Sequence, residues 1–281
     1  MCRLCNMKRR DFGQALLGLG AGMVIAQPRI VEAATAHKLP LIMLDPGHGG
    51  HDPGAMSPDG TEEKHITLAA GFAIKNALLA TGRYRVAMTR THDQFIALEQ
   101  RVALAVGAKA DLFMALHCDH LPTPDLRGAS IFTLSSDASD DLAASIAADE
   151  NQADQTAGPA IQGVSPQVAN VLASLETRAT RIGSATFAED IRNSFKGAVP
   201  LLPDPLRSAN FAVLRDPSVP STLLEMGCLT NPLDEKLLRS PKHRTEMAER
   251  LTAAIDLYFH QYAPAKPPHA ARPHKSNWHV S

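Results

Sequence analysis

Residues 41–55 read LIMLDPGHGGHDPGA, an apolar run that breaks abruptly into a loop rich in glycine and proline. A continuous apolar run of this length is typical of a strand that is covered on both faces of its sheet. His48 follows between two glycines, which allow the backbone to turn sharply and to approach a bound ion closely. Asp45 and Asp52 are expected to fix the loop through Asx-type hydrogen bonds. The stretch therefore predicts a buried strand that leads directly into a functional loop.

Strand-like runs recur along the chain, and helical patterns separate several of them. Apolar residues recur every three or four positions in the stretches that begin at His65 and Phe95, which indicates amphipathic helices. Alternating strands and helices predict an α/β fold with a twisted, mostly parallel sheet flanked by helices. The strand-like runs are 39–45, 84–90, 111–118, 129–134, 210–215 and 221–227.

The composition is that of an ordinary globular protein, and the length fits one large or two small domains. The 281 residues are 44% hydrophobic and 20% charged, with a formal net charge of -1. A near-neutral chain gives no support for a nucleic-acid binder, which usually carries a basic excess. We predict a single catalytic domain over 37–262. The last residues, 263–281, lack the apolar side chains needed for packing and are predicted to be disordered.

The first 36 residues resemble an export signal. Arg9 and Arg10 precede an apolar run over 15–26, and Ala-Thr-Ala at 34–36 resembles a cleavage site. Arg-Arg-x-Phe is similar to the twin-arginine signal, with a Sec-type signal or an uncleaved anchor as the alternatives. The apolar run is short for a membrane span. We therefore expect a periplasmic mature chain without an integral membrane segment.

Polar side chains stand at the carboxyl ends of three strand-like runs. These are His48, His117 and Glu225. Carboxyl ends of parallel strands meet at one edge of a sheet, where open α/β folds bind ligands. Two imidazoles and a carboxylate form a common catalytic zinc set, and either Glu62 or Glu63 could supply the carboxylate. Glu225, isolated in an apolar run, would be the general base and acid.

A long connection separates the run that ends at Leu134 from the run that starts at Asn210. About seventy residues without structure would be unusual in a compact domain, so we predict a helical insertion over 137–207. It begins with the acidic stretch 136–155, SDASDDLAASIAADENQADQ. Such acidic runs commonly form a solvated helix face.

Several motifs, in their order and spacing, resemble those of the zinc-dependent N-acetylmuramoyl-L-alanine amidases over about residues 40–262. They are LDPGHGGHDPGA (44–55), EEK (62–64), TR (89–90), LEQRVALA (98–105), ADLFMALHCD (110–119) and NFAVLRDPSVPSTLLEMGCLTNPLDEKLL (210–238). The resemblance implies an α/β fold and hydrolysis of the amide between muramic acid and L-alanine in peptidoglycan.

Position by position, the resemblance assigns functional residues. It implies that His48, Glu63 and His117 bind Zn2+ and that Glu225 is the catalytic glutamate, which favours Glu63 over Glu62. Cys118 stands where the family usually has alanine, and Cys228 replaces an aromatic or aliphatic residue. Two lone cysteines are expected to be buried thiols, although their pairing stays open.

The insertion resembles that of the cell-division subgroup of these amidases. In that subgroup an inserted helix covers the zinc until an activator protein displaces it, which implies autoinhibition and a role in septal cell-wall splitting and daughter-cell separation. Glu150 is our candidate for the blocking ligand, with Asp149 as the alternative. Two other functions remain open, a peptidoglycan metallopeptidase and an inactive cell-wall binding module. Presence of all the matched residues argues against the inactive module.

Overall fold

The computed structural model describes residues 38–121, 123, 125–152, 173–216 and 218–261. From Leu39 onward these residues belong to one compact unit. The predicted export signal, the predicted C-terminal tail and residues 153–172 of the predicted insertion lie outside the described part of the chain.

Strands and helices alternate through the first five elements, as the periodicity predicts, and strands or helices follow one another in pairs after that. A short 3-10 turn, Ala212–Leu214, precedes the last strand. The elements in chain order are β1 (Leu41–Pro46), α1 (Glu63–Ala80), β2 (Arg85–Met88), α2 (Leu98–Gly107), β3 (Leu112–Asp119), β4 (Ala129–Leu134), α3 (Asp141–Glu150), α4 (Ala173–Phe195), β5 (Leu201–Ala209), β6 (Ser221–Cys228), α5 (Pro232–Arg239) and α6 (Pro241–Gln261).

The strands form one six-stranded sheet in the order β2-β1-β3-β6-β4-β5. Every neighbouring pair is parallel except β4 and β6, which run antiparallel. The predicted mostly parallel α/β sheet is therefore confirmed. Since β1, β3 and β6 are adjacent and parallel, their carboxyl ends lie together at one edge of the sheet.

Helices cover both faces of the sheet, which explains why β1, β3 and β6 are buried along their whole length. Side chains alternate between the faces. Leu112, Met114 and Leu116 of β3 pack in the cluster that contains α1, α4 and α6. Phe113 and Ala115 pack in the other cluster, with residues of α2, α3 and the 3-10 turn.

The strand predicted over 210–215 is wrong. Val213 and Leu214 lie in the 3-10 turn and are buried. Because this turn packs against α2, its sequence is as apolar as that of a buried strand. The strand lies earlier, at β5, where Pro203 and Pro205 obscure it. Proline is tolerated there because β5 is an edge strand, and its register against β4 shifts where the prolines occur.

The predicted insertion contains elements of different kinds. Phe187, Ile191 and Phe195 of α4 recur every four residues, are fully buried and belong to the main core. β5 completes the sheet and begins at Leu201, inside the predicted range of 137–207. Only α3, within the described part of that range, lies beside the residues predicted to bind metal.

Candidate metal centre

His48 is held in a tight turn just after β1. Its backbone adopts φ 58, a left-handed conformation that is uncommon for residues other than glycine. A Cβ added to Gly47 would overlap the His117 ring, and one added to Gly54 would lie 2.5 Å from Glu63 Oε2. Glycine at these two positions therefore allows the backbone to pass close to the ligand side chains.

His117 and Glu225 are direct neighbours across β3 and β6. Their Cα positions pair in the parallel register, immediately before an irregularity between His117 and Asp119. By strand alternation both side chains lie on the face that carries Phe113 and Leu223, which is the face that α3 covers. Two residues 108 positions apart in the sequence thus reach the same edge of the sheet.

Glu63, rather than Glu62, lies in the cluster. It is the first residue of α1, and its side chain is 1% exposed. The amide of Ala55 donates to its Oε2 at 2.8 Å, and the amide of Cys118 donates to its Oε1 at 2.8 Å. Glu62 instead pairs with Lys64 and His65 on the surface side of the helix. The fold therefore brings Glu63, and not Glu62, beside the two histidines.

Nitrogen and oxygen atoms of three predicted ligands converge on one point. His48 Nε2 lies 3.0 Å from Glu63 Oε2, His117 Nδ1 lies 3.2 Å from Glu63 Oε1, and the two imidazole nitrogens are 3.2 Å apart. Ligand atoms bound at about 2.0–2.1 Å in a tetrahedron lie about 3.3 Å apart. The donor set and its spacing therefore fit a tetrahedral metal ion, and these residues could hold one.

Glu150, from the C-terminal end of α3, joins the same cluster. Its Oε2 lies 2.9 Å from His117 Nδ1 and 3.5 Å from His48 Nε2. One ligand atom from each of His48, Glu63, His117 and Glu150 lies within 4.8 Å of all the others. The alternative candidate, Asp149, is exposed and lines the cleft beside the cluster. Glu150 could therefore supply a fourth ligand atom to a metal held by the other three residues.

Asp52 supports His48 from behind, a role that the sequence did not reveal. Its Oδ2 lies 2.9 Å from His48 Nδ1, and its Oδ1 accepts from the amide of Gly54 in the predicted Asx-type bond. A carboxylate behind a ligand histidine fixes the ring and its tautomer. The Asx prediction is wrong for Asp45, whose Oδ1 binds Thr89 and Arg101 instead.

The cluster favours positive charge. Burial alone would lower the pKa of His48, but the charges of Glu63 and Glu150 and the hydrogen bond to Asp52 raise it to about 10. His117 behaves alike, because Glu150 and Glu63 outweigh burial and raise its pKa to about 10. Burial would raise the pKa of Glu63, yet the two imidazoles hold it well below its usual range. A cation bound here would replace the imidazole protons.

Two buried carboxyl groups next to the cluster lack the contacts that Glu63 has. Both oxygens of Glu225 and Oδ2 of Asp119 are buried without a hydrogen-bond partner. Burial, together with the negative charge of Asp119, raises the pKa of Glu225 well above its usual range. Burial and the charge of Glu150 raise that of Asp119. Burying a carboxyl group without a partner costs free energy unless the group serves a ligand or proton transfer. Asp119 was not identified as such a group from the sequence.

A cleft of about 310 Å³ opens beside the cluster. Gly54 and Ala55 of the loop before α1 line it, together with Asp119 at the end of β3 and His120 just after it. Ile146, Glu150 and Gln152 contribute from α3 and its C-terminal end. Helix α3 thus forms one wall of the cavity from which the cluster is reached.

Cys118 and Cys228 are buried free thiols, as the default interpretation predicts. Cys118 belongs to the core on the α1 side of the sheet, whereas Cys228 belongs to the core on the α2 side. Burial raises the pKa of both thiols, which makes them poor nucleophiles.

Among the described residues, no helix combines the length and the apolar character needed to cross a membrane.

The fold and the cluster together define an α/β protein with a His/Glu site suited to a metal at the carboxyl edge of its sheet. The family model of N-acetylmuramoyl-L-alanine amidases matches residues 42–256, and the chain belongs to this family of enzymes. The family resemblance of the sequence motifs is thus confirmed, and the chain is an amidase that acts on peptidoglycan.

Individual relatives agree with this assignment. The chain is 35% identical to the amidase AmiA of Salmonella typhimurium over 261 residues, which cover 89% of this chain and 90% of that protein. It is 38% identical to AmiC of Neisseria meningitidis over 221 residues. That match covers 78% of this chain but only 53% of the longer AmiC protein.

Solved structures share the fold at lower sequence identity. Ami1 of Mycobacterium smegmatis superposes with a TM-score of 0.60 at 21% identity, over 79% of this chain and 97% of that one. The CwlD amidase of Clostridioides difficile, solved in complex with the GerS lipoprotein, gives a TM-score of 0.56 at 20% identity. It covers 79% of this chain and 99% of CwlD.

Proposed function

We propose that the chain is a zinc-dependent amidase in which His48, Glu63 and His117 hold the metal. The observation that carries this proposal is the convergence of their donor atoms at 3.0–3.2 Å from three separate elements. Two imidazoles and one carboxylate are a donor set that catalytic zinc uses, with a further position left for water or substrate. Asp52, the carboxylate partner of His48, supports the proposal.

The bond that we propose is cleaved is the amide between the lactyl group of N-acetylmuramic acid and L-alanine of the stem peptide. Bound zinc would lower the pKa of a water molecule to about 7 and polarise the carbonyl oxygen. The water oxygen ends on the lactyl carbon, and the carbon–nitrogen bond breaks. The products are a glycan strand that retains its lactyl carboxylate and a peptide that begins with L-alanine.

Glu225 is the group that we assign to proton transfer. It lies beside His117 across the sheet, is fully buried and has both oxygens free of protein partners. Its carboxylate accepts the proton of the attacking water and donates it to the nitrogen of the leaving L-alanine. Burial and the charge of Asp119 raise the pKa of Glu225, so its carboxylate binds a proton more readily than an ordinary glutamate does.

Regulation is proposed to reside in α3. Glu150 places Oε2 at 2.9 Å from His117 Nδ1, where it would occupy the position that water needs on the metal. Polar contacts fasten both ends of the helix. Arg207 of β5 pairs with Asp140, the N-cap of α3, at 2.5 Å, and Asn151 bonds the backbone around the 3-10 turn.

A helix held in this way could be released as a unit. Ala143, Ile146 and Ala147 are its buried side chains, and two of them are small. The apolar side chains that α3 itself buries are therefore smaller than those of α4, which buries Phe187, Ile191 and Phe195 in the main core. The regulatory element is thus proposed to be α3, a narrower range than the predicted insertion over 137–207.

Cellular context is proposed from the sequence resemblances. The export signal predicted over 1–36 supports delivery to the periplasm, by the twin-arginine route. The similarity of the insertion to that of the cell-division subgroup supports a role in septal splitting, with an activator protein that displaces α3. The structure of CwlD with the GerS lipoprotein is a precedent, within this fold, for an amidase that binds another protein.

Product analysis with a Glu225 variant tests the proposed function. The zinc-loaded protein, freed of α3 inhibition by Glu150→Gln, should release peptides that begin with L-alanine from purified sacculi. Adding Glu225→Gln should reduce the rate at least about 100-fold, the typical contribution of a general base, while one zinc per chain is retained. Peptides still linked to muramic acid would indicate the peptidase instead. Loss of zinc in the Glu225→Gln protein would contradict the assigned roles.

A further inference from the structure

Two buried arginines bind the carbonyl oxygens of three consecutive residues in the loop that carries His48. Arg101 donates from Nη1 to the Pro46 carbonyl at 2.9 Å and from Nη2 to the His48 carbonyl at 2.8 Å. Arg90 donates from Nε to the Pro46 carbonyl at 2.9 Å and from Nη2 to the Gly47 carbonyl at 2.8 Å. Arg90 is 1% exposed and Arg101 is 2% exposed. The carbonyl oxygens of Pro46, Gly47 and His48 are therefore each held by a guanidinium group.

Arg90 also connects this turn to the helix that carries Glu63. Its Nη2 lies 2.7 Å from the carbonyl oxygen of Lys64 and 3.0 Å from Oγ1 of Thr67. Thr67, which is fully buried, donates in turn to the Gly47 carbonyl at 3.0 Å. One guanidinium group thus contacts the backbone beside His48 and the backbone beside Glu63, so it sets the distance between the two elements.

Stability alone does not account for this arrangement. Asp45 is the carboxylate that bonds directly to the pair, through Arg101 Nη1 at 2.8 Å, while its Oδ2 has no partner. Burial and the neighbouring charge of Arg101 lower the pKa of Arg90 to about 10. Buried ion pairs are often replaceable by apolar residues without loss of stability, so two buried cations against one carboxylate indicate another purpose.

The left-handed backbone of His48 is the feature that the two arginines hold in place. A left-handed backbone in a residue with a Cβ is unfavourable and persists only where its surroundings impose it. Arginine suits this task because its planar fork of donors can bind several carbonyl oxygens at fixed geometry, which the single ammonium group of lysine cannot do. Arg101 reaches the carbonyl of His48 itself, so the strained residue is held at its own peptide group.

We propose that Arg90 and Arg101 are positioning residues that hold His48 and Glu63 at the separation one metal ion requires. Thr67 completes the connection between the turn and α1. None of the three is assigned a contact with metal or substrate, and all act through the backbone of the ligand-bearing elements. The inference rests on the metal site of the proposed function.

Zinc affinity measured on purified protein by competition with a chromophoric chelator tests the proposal. Arg101→Lys and Arg90→Lys should raise the Kd for Zn2+ about 10- to 100-fold, the usual effect of losing a group that orients a metal ligand. Thr67→Val, which keeps the side-chain volume, should weaken binding in the same direction, and Thr67→Ser should restore it. Arg83→Lys is the matched control, because Arg83 pairs with Asp256 on the exposed surface.

Unfolding of the metal-free proteins in denaturant separates positioning from general destabilisation. A remote core variant, Ile255→Val in α6, shows how zinc affinity responds to lost stability alone. Zinc affinity that falls more in Arg101→Lys than in an equally destabilised core variant supports the proposal. Unchanged affinity in both Arg101→Lys and Thr67→Val, while the unaltered chain binds one zinc, would overturn it. Failure of the unaltered chain to bind zinc would overturn the proposed metal site and this inference together.

Discussion

Replacing Asn151 with alanine should raise the basal activity of the zinc-loaded enzyme. Asn151 is the C-cap of α3 and follows Glu150 directly. Its Nδ2 donates to the Asn210 carbonyl at 2.8 Å, and its Oδ1 accepts from the amide of Ala212 at 2.7 Å. The side chain therefore fastens the end of the helix that carries the proposed blocking ligand.

The size of the effect follows from these two hydrogen bonds. Each typically contributes about 0.5–1.5 kcal/mol net, so alanine should weaken the docked state of α3 by about 1–3 kcal/mol. The backbone of Asn151 is helical, at φ -72 and ψ -11, so alanine introduces no strain. With a tenfold change for every 1.4 kcal/mol, the undocked fraction rises about 5- to 140-fold while the docked state still dominates.

Release of dye from labelled sacculi, with equal zinc content in every sample, measures the effect. Glu150→Gln removes the blocking carboxylate itself and sets the upper limit of activation. Asn76→Ala is the matched control, because Asn76 is exposed on α1 on the opposite side of the sheet from α3. Asn151→Ala should fall between the control and Glu150→Gln.

Two combinations of rates would refute the reasoning. If Glu150→Gln is strongly activated and Asn151→Ala releases dye no faster than Asn76→Ala, the carboxylate blocks the site but Asn151 does not hold it there. If neither variant differs from the unaltered chain, α3 does not inhibit the enzyme at all.

Two further predictions concern the core and the charge of the site. Phe187→Ala should lower the free energy of unfolding by about 3–5 kcal/mol, because Phe187 is fully buried in α4, whereas Ile182→Ala, at a half-exposed position on the same helix, should cost about 0.5 kcal/mol or less. Equal losses in the two variants would show that α4 is not part of the core. The metal-free protein should lose stability as the pH rises from 6.5 towards 10, because His48 and His117 have pKa values raised to about 10 and their protonated forms stabilise the fold below that range. Denaturant midpoints across this range check it, and a variant with both histidines changed to glutamine should show a smaller loss.

Much of the fold was predictable because its strongest signals are local. The apolar runs at β1 and β3, and the three- and four-residue spacing in α1, depend only on neighbouring residues and on burial. Element boundaries failed where tertiary packing outweighed local pattern. The buried turn at 212–214 resembled a strand, and the prolines of β5 hid a real one that the sheet edge tolerates.

What the sequence by itself determined was the set of strand-end residues, His48, His117 and Glu225, because parallel strands bring their carboxyl ends to one edge. The tertiary structure distinguished Glu63 from Glu62, which spacing left open, since only Glu63 lies on the buried side of the first turn of α1. It also placed Glu150, a candidate from the family resemblance, at 2.9 Å and 3.5 Å from the two histidines.

The supporting groups are the part that sequence spacing could not reveal. Asp52 lies behind the His48 ring, the arginines of α2 and of the segment after β2 bind backbone carbonyls of the site, and Asn151 fastens α3 to the backbone around the 3-10 turn. Their positions depend on how separate elements pack and on where each guanidinium or amide group reaches. A one-dimensional pattern records which residues are polar, but only the packed chain determines which carbonyl oxygen each donor meets.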